Sequence, residues 1–382
     1  LKGSCPGLAG APACPMAVSV PSLVAALSGS KVEARAQAAE KLAGLATKDE
    51  VQSEIVAAGA ARPLVSLVAG GSIDARVHAA ACLMKLATSC ARREVILAAG
   101  AVAPLWEGVL GGVAATREEA LGALRSLTVA DQARRELHAA HAAPHLVALL
   151  SSATPTSQVR ALGVLAALGG LDGCRDEIFA AGALPILVAF LAVREHPERM
   201  LAAAEALAGV ASSNRVRVEA VRCGALQPLV AMLERGTQEQ RAAAASAVGA
   251  IANEDELNLE DTADPVVPVF ADAFLEAGVL PPLVDLLSSG SPEGRGQAVS
   301  ATVALMEKSE MHEPFVAAGG LPLLVEFLQA RRGDPAQSRA AAALALRTLA
   351  YSSAEIREAI ETAVPGCVGR EELLRTLHSY CF

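Results

Sequence analysis

Three histidines are the first residues whose spacing could support chemistry. His138, His141 and His145 lie three and four residues apart, a spacing that brings imidazoles together on one face of a helix. Imidazole nitrogens are common metal ligands. His141, however, occupies the turn position of the repeat described below, which breaks the helical geometry. We therefore predict no metal and no cofactor.

A second group consists of carboxylates in the segment NEDELNLEDTADPVVP, residues 253–268. A calcium loop needs regularly spaced oxygens and a glycine at its sharp turn, and this segment has no glycine. We interpret it as a solvated acidic loop. The alternative is a docking loop for a basic partner surface, with Leu257 and Leu259 as apolar anchors. The carboxylates are Glu254, Asp255, Glu256, Glu260, Asp261 and Asp264.

Sequence motifs of catalysis are missing. Gly294 and Gly296 lack the third glycine and the preceding strand of a dinucleotide-binding loop. Neither a G-x-S-x-G nucleophile elbow nor an HExxH pair occurs. The eight cysteines form no CxxC pair, so we expect reduced thiols rather than a metal or disulfide framework. The sequence predicts a protein that is not an enzyme and takes no small-molecule substrate.

The amino-acid composition indicates which type of secondary structure these residues lie on. The chain has 382 residues, of which 53% are hydrophobic and only 3% aromatic. Ala and Leu must therefore fill most of the core, which favours closely packed helices over β-sandwiches. A net charge of −9 argues against nucleic-acid binding, and no apolar run is long enough to span a membrane.

A repeated phrase organises the chain. It reads IFAAGALPILVAFL at 178–191 and recurs six more times. Successive turn positions lie 41 or 42 residues apart, except for a spacing of 54 across the acidic segment. Each unit predicts a short first helix that ends at the turn residue, a second helix with Pro at its start, and a longer third helix. The turn positions are Gly59, Gly100, His141, Gly182, Gly224, Gly278 and Gly319.

This pattern resembles the armadillo repeat family, and in particular the armadillo repeat proteins of plants and algae. The resemblance implies an all-α, right-handed solenoid of about eight repeats with a period of about 41 residues, whose third helices line a groove. We predict an extension at 1–17, the solenoid at 18–362 with the acidic insertion at 253–268, and a capping helix at 363–382. One continuous solenoid thus replaces the two or three globular domains that the length suggests.

Family members that bind extended peptides carry an Asn near the end of each third helix, and import receptors add a Trp one turn earlier. The Asn positions here are Gly44, Lys85, Ser126, Ala167, Gly209, Ala250, Ala304 and Thr348. The Trp positions are Glu40, Ala81, Gly122, Gly163, Glu205, Ser246, Ser300 and Leu344. None is Asn or Trp, so the backbone clamp of the family is missing and import-receptor activity is disfavoured.

We expect a smooth groove of small residues through repeats four to seven, where a bulky partner, for example a helical segment, could approach closely. The alternative is binding at edges and loops. Groove candidates for partner binding are Glu40, His78, Lys85, Glu119, Ser126, Arg160, Glu205, Gly209, Ala250 and Thr348. The polar candidates include both acidic and basic residues, so they do not indicate a ligand of one particular charge.

The sequence predicts a non-enzymatic scaffold, or a structural subunit of a larger assembly, that binds one or more proteins. One alternative is the substrate-recognition region of a U-box ubiquitin ligase. Position 1 is Leu rather than Met, so a U-box domain could precede this sequence. A nuclear import receptor is less favoured. We expect a eukaryotic, intracellular protein, in the cytoplasm unless the native start directs it to an organelle.

Overall fold

The computed structural model describes residues 19–253, 269–328 and 336–363, together with position 375. Throughout these ranges the secondary structure is helical, without strands. The chain forms two compact units, Leu1–Ala133 and Arg134–Phe382. The all-α fold predicted from composition and periodicity is confirmed.

The first unit contains repeats one to three. Its helices, in chain order, are α1 (Val20–Leu27), α2 (Val32–Leu45), α3 (Asp49–Ala57), α4 (Ala61–Gly70), α5 (Ile73–Leu86), α6 (Cys90–Ala98), α7 (Val102–Gly111) and α8 (Ala114–Leu127). The third helix of each repeat packs on that of the next, so that α2 contacts α5 and α5 contacts α8. Trp106 on α7 is buried and belongs to the core.

The second unit contains repeats four to eight, and its first helix begins at Asp131, three residues before the unit's first residue, Arg134. The helices are α9 (Asp131–Ala139), α10 (Ala142–Ser152), α11 (Pro155–Leu168), α12 (Asp172–Ala180), α13 (Ala183–Ala192), α14 (Pro197–Val210), α15 (Asn214–Arg222), α16 (Leu226–Arg235), α17 (Gln238–Ala252), α18 (Val269–Ala277), α19 (Leu280–Ser289), α20 (Pro292–Met306), α21 (His312–Ala317), α22 (Gly320–Leu328), α23 (Ala336–Ser352) and α24 (Ala354–Ala363). A 3₁₀ helix, Ser309–Met311, precedes α21.

The turn between the first and second helices has the predicted backbone conformation. Six glycines adopt φ between 70° and 83°, and His141 adopts φ 49°. These seven positions carry all the positive φ angles of the described residues, and they are the seven positions of the sequence repeat. Glycine reaches this region without steric cost, and His is among the residues that tolerate it.

Proline lies slightly deeper in the second helix than the sequence suggested. Pro63, Pro104 and Pro228 are each the third residue of their helix, rather than the first. The first four backbone N–H groups of a helix have no partner within it. Proline at the third position therefore still removes no hydrogen bond.

Alanine and glycine form much of the contact between third helices in the second unit. α11 packs on α14, α14 on α17, α17 on α20, and α20 on α23. A side-chain carbon added at Gly169 would lie 2.6 Å from the backbone of Gly209, and one added at Gly249 would lie 3.0 Å from Cα of Ala301. Small residues at these contacts let the helix backbones approach closely.

Several predicted segments lie outside the described residues. They are the extension 1–17, the six carboxylates between Glu254 and Asp264, and the capping helix 363–382 apart from its first residue and Arg375. Within the described residues, no single helix is long and apolar enough to cross a membrane. Two strongly bent pairs, α3 with α4 and α6 with α7, meet the length and composition criteria only when taken together.

Candidate functional site

Two cavities lie along the third helices α14, α17 and α20 of the second unit. One, of about 470 Å³, is lined by residues of all three helices, and the other, of about 290 Å³, lies between α17 and α20. Ser246 and Gln297 line both, so the cavities adjoin. We call them together the third-helix groove. Its lining includes two sequence candidates, Glu205 and Ala250.

Charge in the third-helix groove has one sign. Its described lining contains four carboxylates and no Arg, Lys or His. Clustered charges of one sign beside low-dielectric walls concentrate their field on whatever enters the groove. The lining of the third-helix groove therefore differs from the full set of sequence candidates, which includes both acidic and basic residues. The carboxylates are Glu205, Glu239, Glu293 and Glu307.

Small residues make up most of the lining between α17 and α20. Ala245, Gly249 and Ala250 of α17 lie opposite Ala301 and Ala304 of α20. These residues leave a shallow depression because the two helices touch there. The polar lining of the third-helix groove consists of Gln238, Ser246, Asn253, Ser291, Gln297, Ser300 and the carboxylates. The hydroxyl of Ser300 donates to the carbonyl of Gly296 in its own helix, at 3.1 Å.

Gly209 has a different role from the one that the sequence suggested. A side-chain carbon at this position of α14 would lie 2.4 Å from the carbonyl oxygen of Ala166 on α11. Gly209 therefore lets two third helices meet, and no side chain can be placed there without moving them apart. We assign it to helix packing.

Three other groove candidates use their polar atoms within the chain. Lys85 on α5 donates from Nζ to the carbonyl of Ala43 on α2, at 2.7 Å. The hydroxyls of Ser126 and Thr348 each donate to the carbonyl four residues earlier in their own helix, at 3.2 Å. These bonds reduce what the three side chains can offer to a partner.

The remaining candidates lie on third helices outside the two cavities. Glu40 on α2 is exposed, and His78 on α5, Glu119 on α8 and Arg160 on α11 are half-buried. The structure does not bring these four into the third-helix groove.

Sequence reasoning missed a regular column of arginines near the start of the third helices. Arg76 donates to the carbonyls of Gly71 and Ala69, and Arg117 donates to those of Gly112 and Val109. Both close the turn between second and third helices by occupying the carbonyls at the end of the second helix. The column residues repeat at the same intervals as the turn glycines, so they could have been recognised from the sequence. The column consists of Arg35, Arg76, Arg117, Arg199, Arg241 and Arg295, with Gln158 at the equivalent position of repeat four.

The histidine cluster is organised around a carboxylate. Glu177 on α12 lies 2.9 Å from Nδ1 of His141 and 3.8 Å from Nδ1 of His138. His145 Nδ1 instead faces the backbone carbonyl of His141, at 3.3 Å. No group of three or more metal-ligating side chains suited to an ion occurs among the described residues.

Cysteines in the described ranges are free thiols, and two of them are buried. Burial raises the pKa of the Cys82 thiol to about 12, an effect that nearby Lys85 opposes. Burial, together with the charge of Glu177, raises the pKa of Cys174 to about 11. Both thiols are therefore poor nucleophiles at neutral pH, because the thiolate is the reactive form.

Comparison with known proteins supports the resemblance drawn from the repeat. The model of the armadillo/beta-catenin-like repeat matches residues 270–302, which span α18, α19 and most of α20. Among solved structures, the crystal structure of one engineered protein has a TM-score of 0.75 at 26% identity, covering 95% of this chain and 87% of that one. A second engineered protein has a TM-score of 0.56 at 27% identity, covering 61% of this chain and 96% of that one.

The chain is thus similar to armadillo-like repeat proteins, in the sequence of one matched repeat and in its fold. No curated protein matches it in sequence. Armadillo-like repeat proteins are typically non-enzymatic, and their fold suggests a scaffold for protein interactions. The structure of this chain adds a groove in which all the charged residues of the described lining are acidic.

Proposed function

We propose that this protein is a non-enzymatic scaffold that binds a basic segment of a partner protein along the third-helix groove. The observation that carries the proposal is the lining of four carboxylates without a basic side chain. Lysine and arginine side chains of a partner would find complementary charge there, and the small floor residues would let their stems lie close to the helices.

Selectivity in this groove would rest on side chains rather than on the partner backbone. The positions that carry Asn in peptide-binding members of the family are Gly209 and Ala250 in this stretch, and neither side chain has a polar atom. A groove without that backbone clamp does not reproduce the import-receptor arrangement. We propose recognition of charge and spacing instead.

We also propose that the protein acts inside the cell, in the cytoplasm or in another reducing compartment. The buried thiols Cys82 and Cys174 support this, because free cysteines persist where disulfides do not form.

Selection of peptides from a displayed random library would test the groove. The bait would be the full chain, and a charge-reversed variant, Glu239→Lys with Glu293→Lys, would be screened in parallel. Both residues are exposed, so the exchange leaves the core unchanged. A matched control reverses two exposed carboxylates elsewhere, Glu54→Lys with Glu358→Lys.

We expect the selected peptides to be rich in Lys and Arg. The groove variant should bind them at least about tenfold more weakly, which corresponds to about 1.4 kcal/mol, while the control binds them normally. Enrichment of neutral or acidic peptides only, or equal binding by the groove variant, would overturn the proposal.

A further inference from the structure

A pocket of about 470 Å³ lies between repeats five and six of the second unit, apart from the third-helix groove. Leu191 at the end of α13, Met200 on α14 and Met232 on α16 form its apolar part. All three are at most 9% exposed, so they belong to the core and only a small part of each side chain reaches the pocket. Two of the three are thioethers, which adapt to irregular apolar groups.

Two arginines stand at the rim of this pocket. Arg194 lies in the connection between α13 and α14, and Arg235 is the last residue of α16. Both are exposed. The only ion pair described for either is between Nε of Arg235 and its neighbour Glu234, at 3.7 Å and largely in solvent. Such a pair contributes little, so the rim keeps a positive field.

The buried side-chain amide of Gln240, in the pocket wall, already has hydrogen-bond partners within the chain. Gln240 donates to the carbonyl of Pro197 at 3.2 Å and accepts from the backbone N–H of Thr237 at 3.0 Å. It fixes the wall by joining α17 to the start of α14. The charged groups that face an incoming ligand are therefore the two guanidiniums, which suit a carboxylate.

The pocket combines a largely buried apolar floor with an exposed cationic rim, which lies along the connection between helices. A volume of about 470 Å³ is within the usual range for ligand sites, about 300–1,000 Å³. An isolated acyl chain would require enclosure, whereas a peptide can place one side chain in an open pocket and continue past the rim on both sides.

We propose that this pocket binds a segment of a partner protein in which a bulky apolar side chain stands next to a carboxylate. The apolar side chain would lie against Leu191, Met200 and Met232, and the carboxylate between Arg194 and Arg235. The inference does not depend on the third-helix groove, because the two surfaces select opposite charges.

The experiment uses the full chain and an array of terminally blocked peptides. Each array member pairs one of Leu, Ile, Met, Phe or Trp with a neighbouring Asp or Glu. Matched members replace the acid by its amide or the apolar residue by Ala. Fluorescence polarisation with labelled array peptides, and direct calorimetric titration with dodecanoate, would be measured on the wild type and on Arg194→Gln with Arg235→Gln. Exposed Arg222→Gln serves as the control.

We expect at least one acidic–apolar pair to bind with a submillimolar Kd. Its binding should weaken at least about tenfold in the double variant, in its amide form and in its Ala form, but not in the Arg222 control. Absence of any submillimolar binder, or equal binding by the double variant, would overturn the proposal. Binding of dodecanoate without any peptide would also overturn it, in favour of a lipid ligand.

Discussion

Gly209 shows how one missing side chain decides the distance between two helices. Its Cα faces the backbone of Ala166, and an added carbon would lie 2.4 Å from that carbonyl oxygen. At the corresponding position of repeat one, Gly44 on α2 has no atom within 4 Å of such a carbon. The same residue type therefore has opposite roles in two equivalent places.

Alanine at these two positions should change stability in opposite directions. Gly209→Ala should lower the free energy of unfolding by about 1–3 kcal/mol, because it overpacks the contact with α11. Gly44→Ala should raise it by about 0.5–1 kcal/mol, because alanine is the better helix former and space is available. Urea unfolding followed by circular dichroism measures both, and a Gly209→Ala protein as stable as the wild type would contradict the packing role.

The thiols also differ by position. Cys82 and Cys174 are buried with raised pKa values, while Cys90 is exposed. A raised pKa means that the fold favours the neutral thiol. Its stabilising effect is complete below the unfolded-state pKa, near 9.0 for Cys82, and is lost as the pH rises toward about 12.

Alkylation should reveal this difference. In the folded protein at pH 8–9, iodoacetamide should modify Cys90 while Cys82 and Cys174 stay unmodified, since the reactive thiolate is both rare and shielded at the buried sites. In urea all three should react. Peptide mass spectrometry gives the extent at each residue, and modification of Cys82 at the rate of Cys90 in the folded state would disprove the assignment.

At the scale of the helix, buried side chains donate hydrogen bonds to the backbone carbonyls at the ends of third helices. Arg217 on α15 is 3% exposed and donates from Nε to the carbonyl of Ala211, at 2.8 Å, and from Nη2 to that of Ser212, at 3.2 Å. His312 and Gln52 reach the ends of α20 and α2 in the same way, at 2.7 and 2.8 Å. The carbonyls at the ends of α2, α14 and α20 thus find donors in the first helix of the next repeat.

Removal of such a donor should destabilise the fold. Arg217→Met keeps the apolar stem but leaves two carbonyls without their partner, so we expect a loss of about 2 kcal/mol in unfolding free energy. Arg222→Met, on the exposed side of the same helix, should change it by less than about 0.5 kcal/mol. Denaturation midpoints of the two variants decide the matter, and equal midpoints would argue against a capping role.

Helix existence and the turn positions were predictable because each depends on local sequence. A positive φ needs Gly or a tolerant residue, so the repeat of Gly59 and its equivalents, including His141, located the turns directly. Proline positions were less accurate, since the helix begins two residues before Pro63 and the sequence carries no separate signal for that start.

The site was harder to predict than the fold, because it depends on contacts between repeats. The mapping placed Gly209 and Ala250 at equivalent positions, yet only Ala250 lines the groove. Glu239 and Glu293, at the starts of their third helices, were missed because the family comparison directed attention to the helix ends. The arginine column was readable from its spacing alone.

For the whole molecule, a modest net charge conceals two local fields of opposite sign. The chain carries −9 overall, but within the second unit the third-helix groove is lined by carboxylates and the pocket between repeats five and six is rimmed by arginines. At physiological salt, charges act over about 8 Å, so a partner responds to the surface that it touches rather than to the total. A scaffold of this kind could hold two partner segments of different chemistry.

The contact at Gly209 also bears on how such a chain could be rebuilt. The equivalent contact in the first unit is made by Lys85, whose ammonium reaches the carbonyl of Ala43, whereas Gly209 rests directly on Ala166. If repeat five were replaced by a copy of repeat two, a lysine would collide with the backbone of repeat four. The repeats share one architecture but are not interchangeable modules, and any recombined version of this protein must exchange both sides of a junction together.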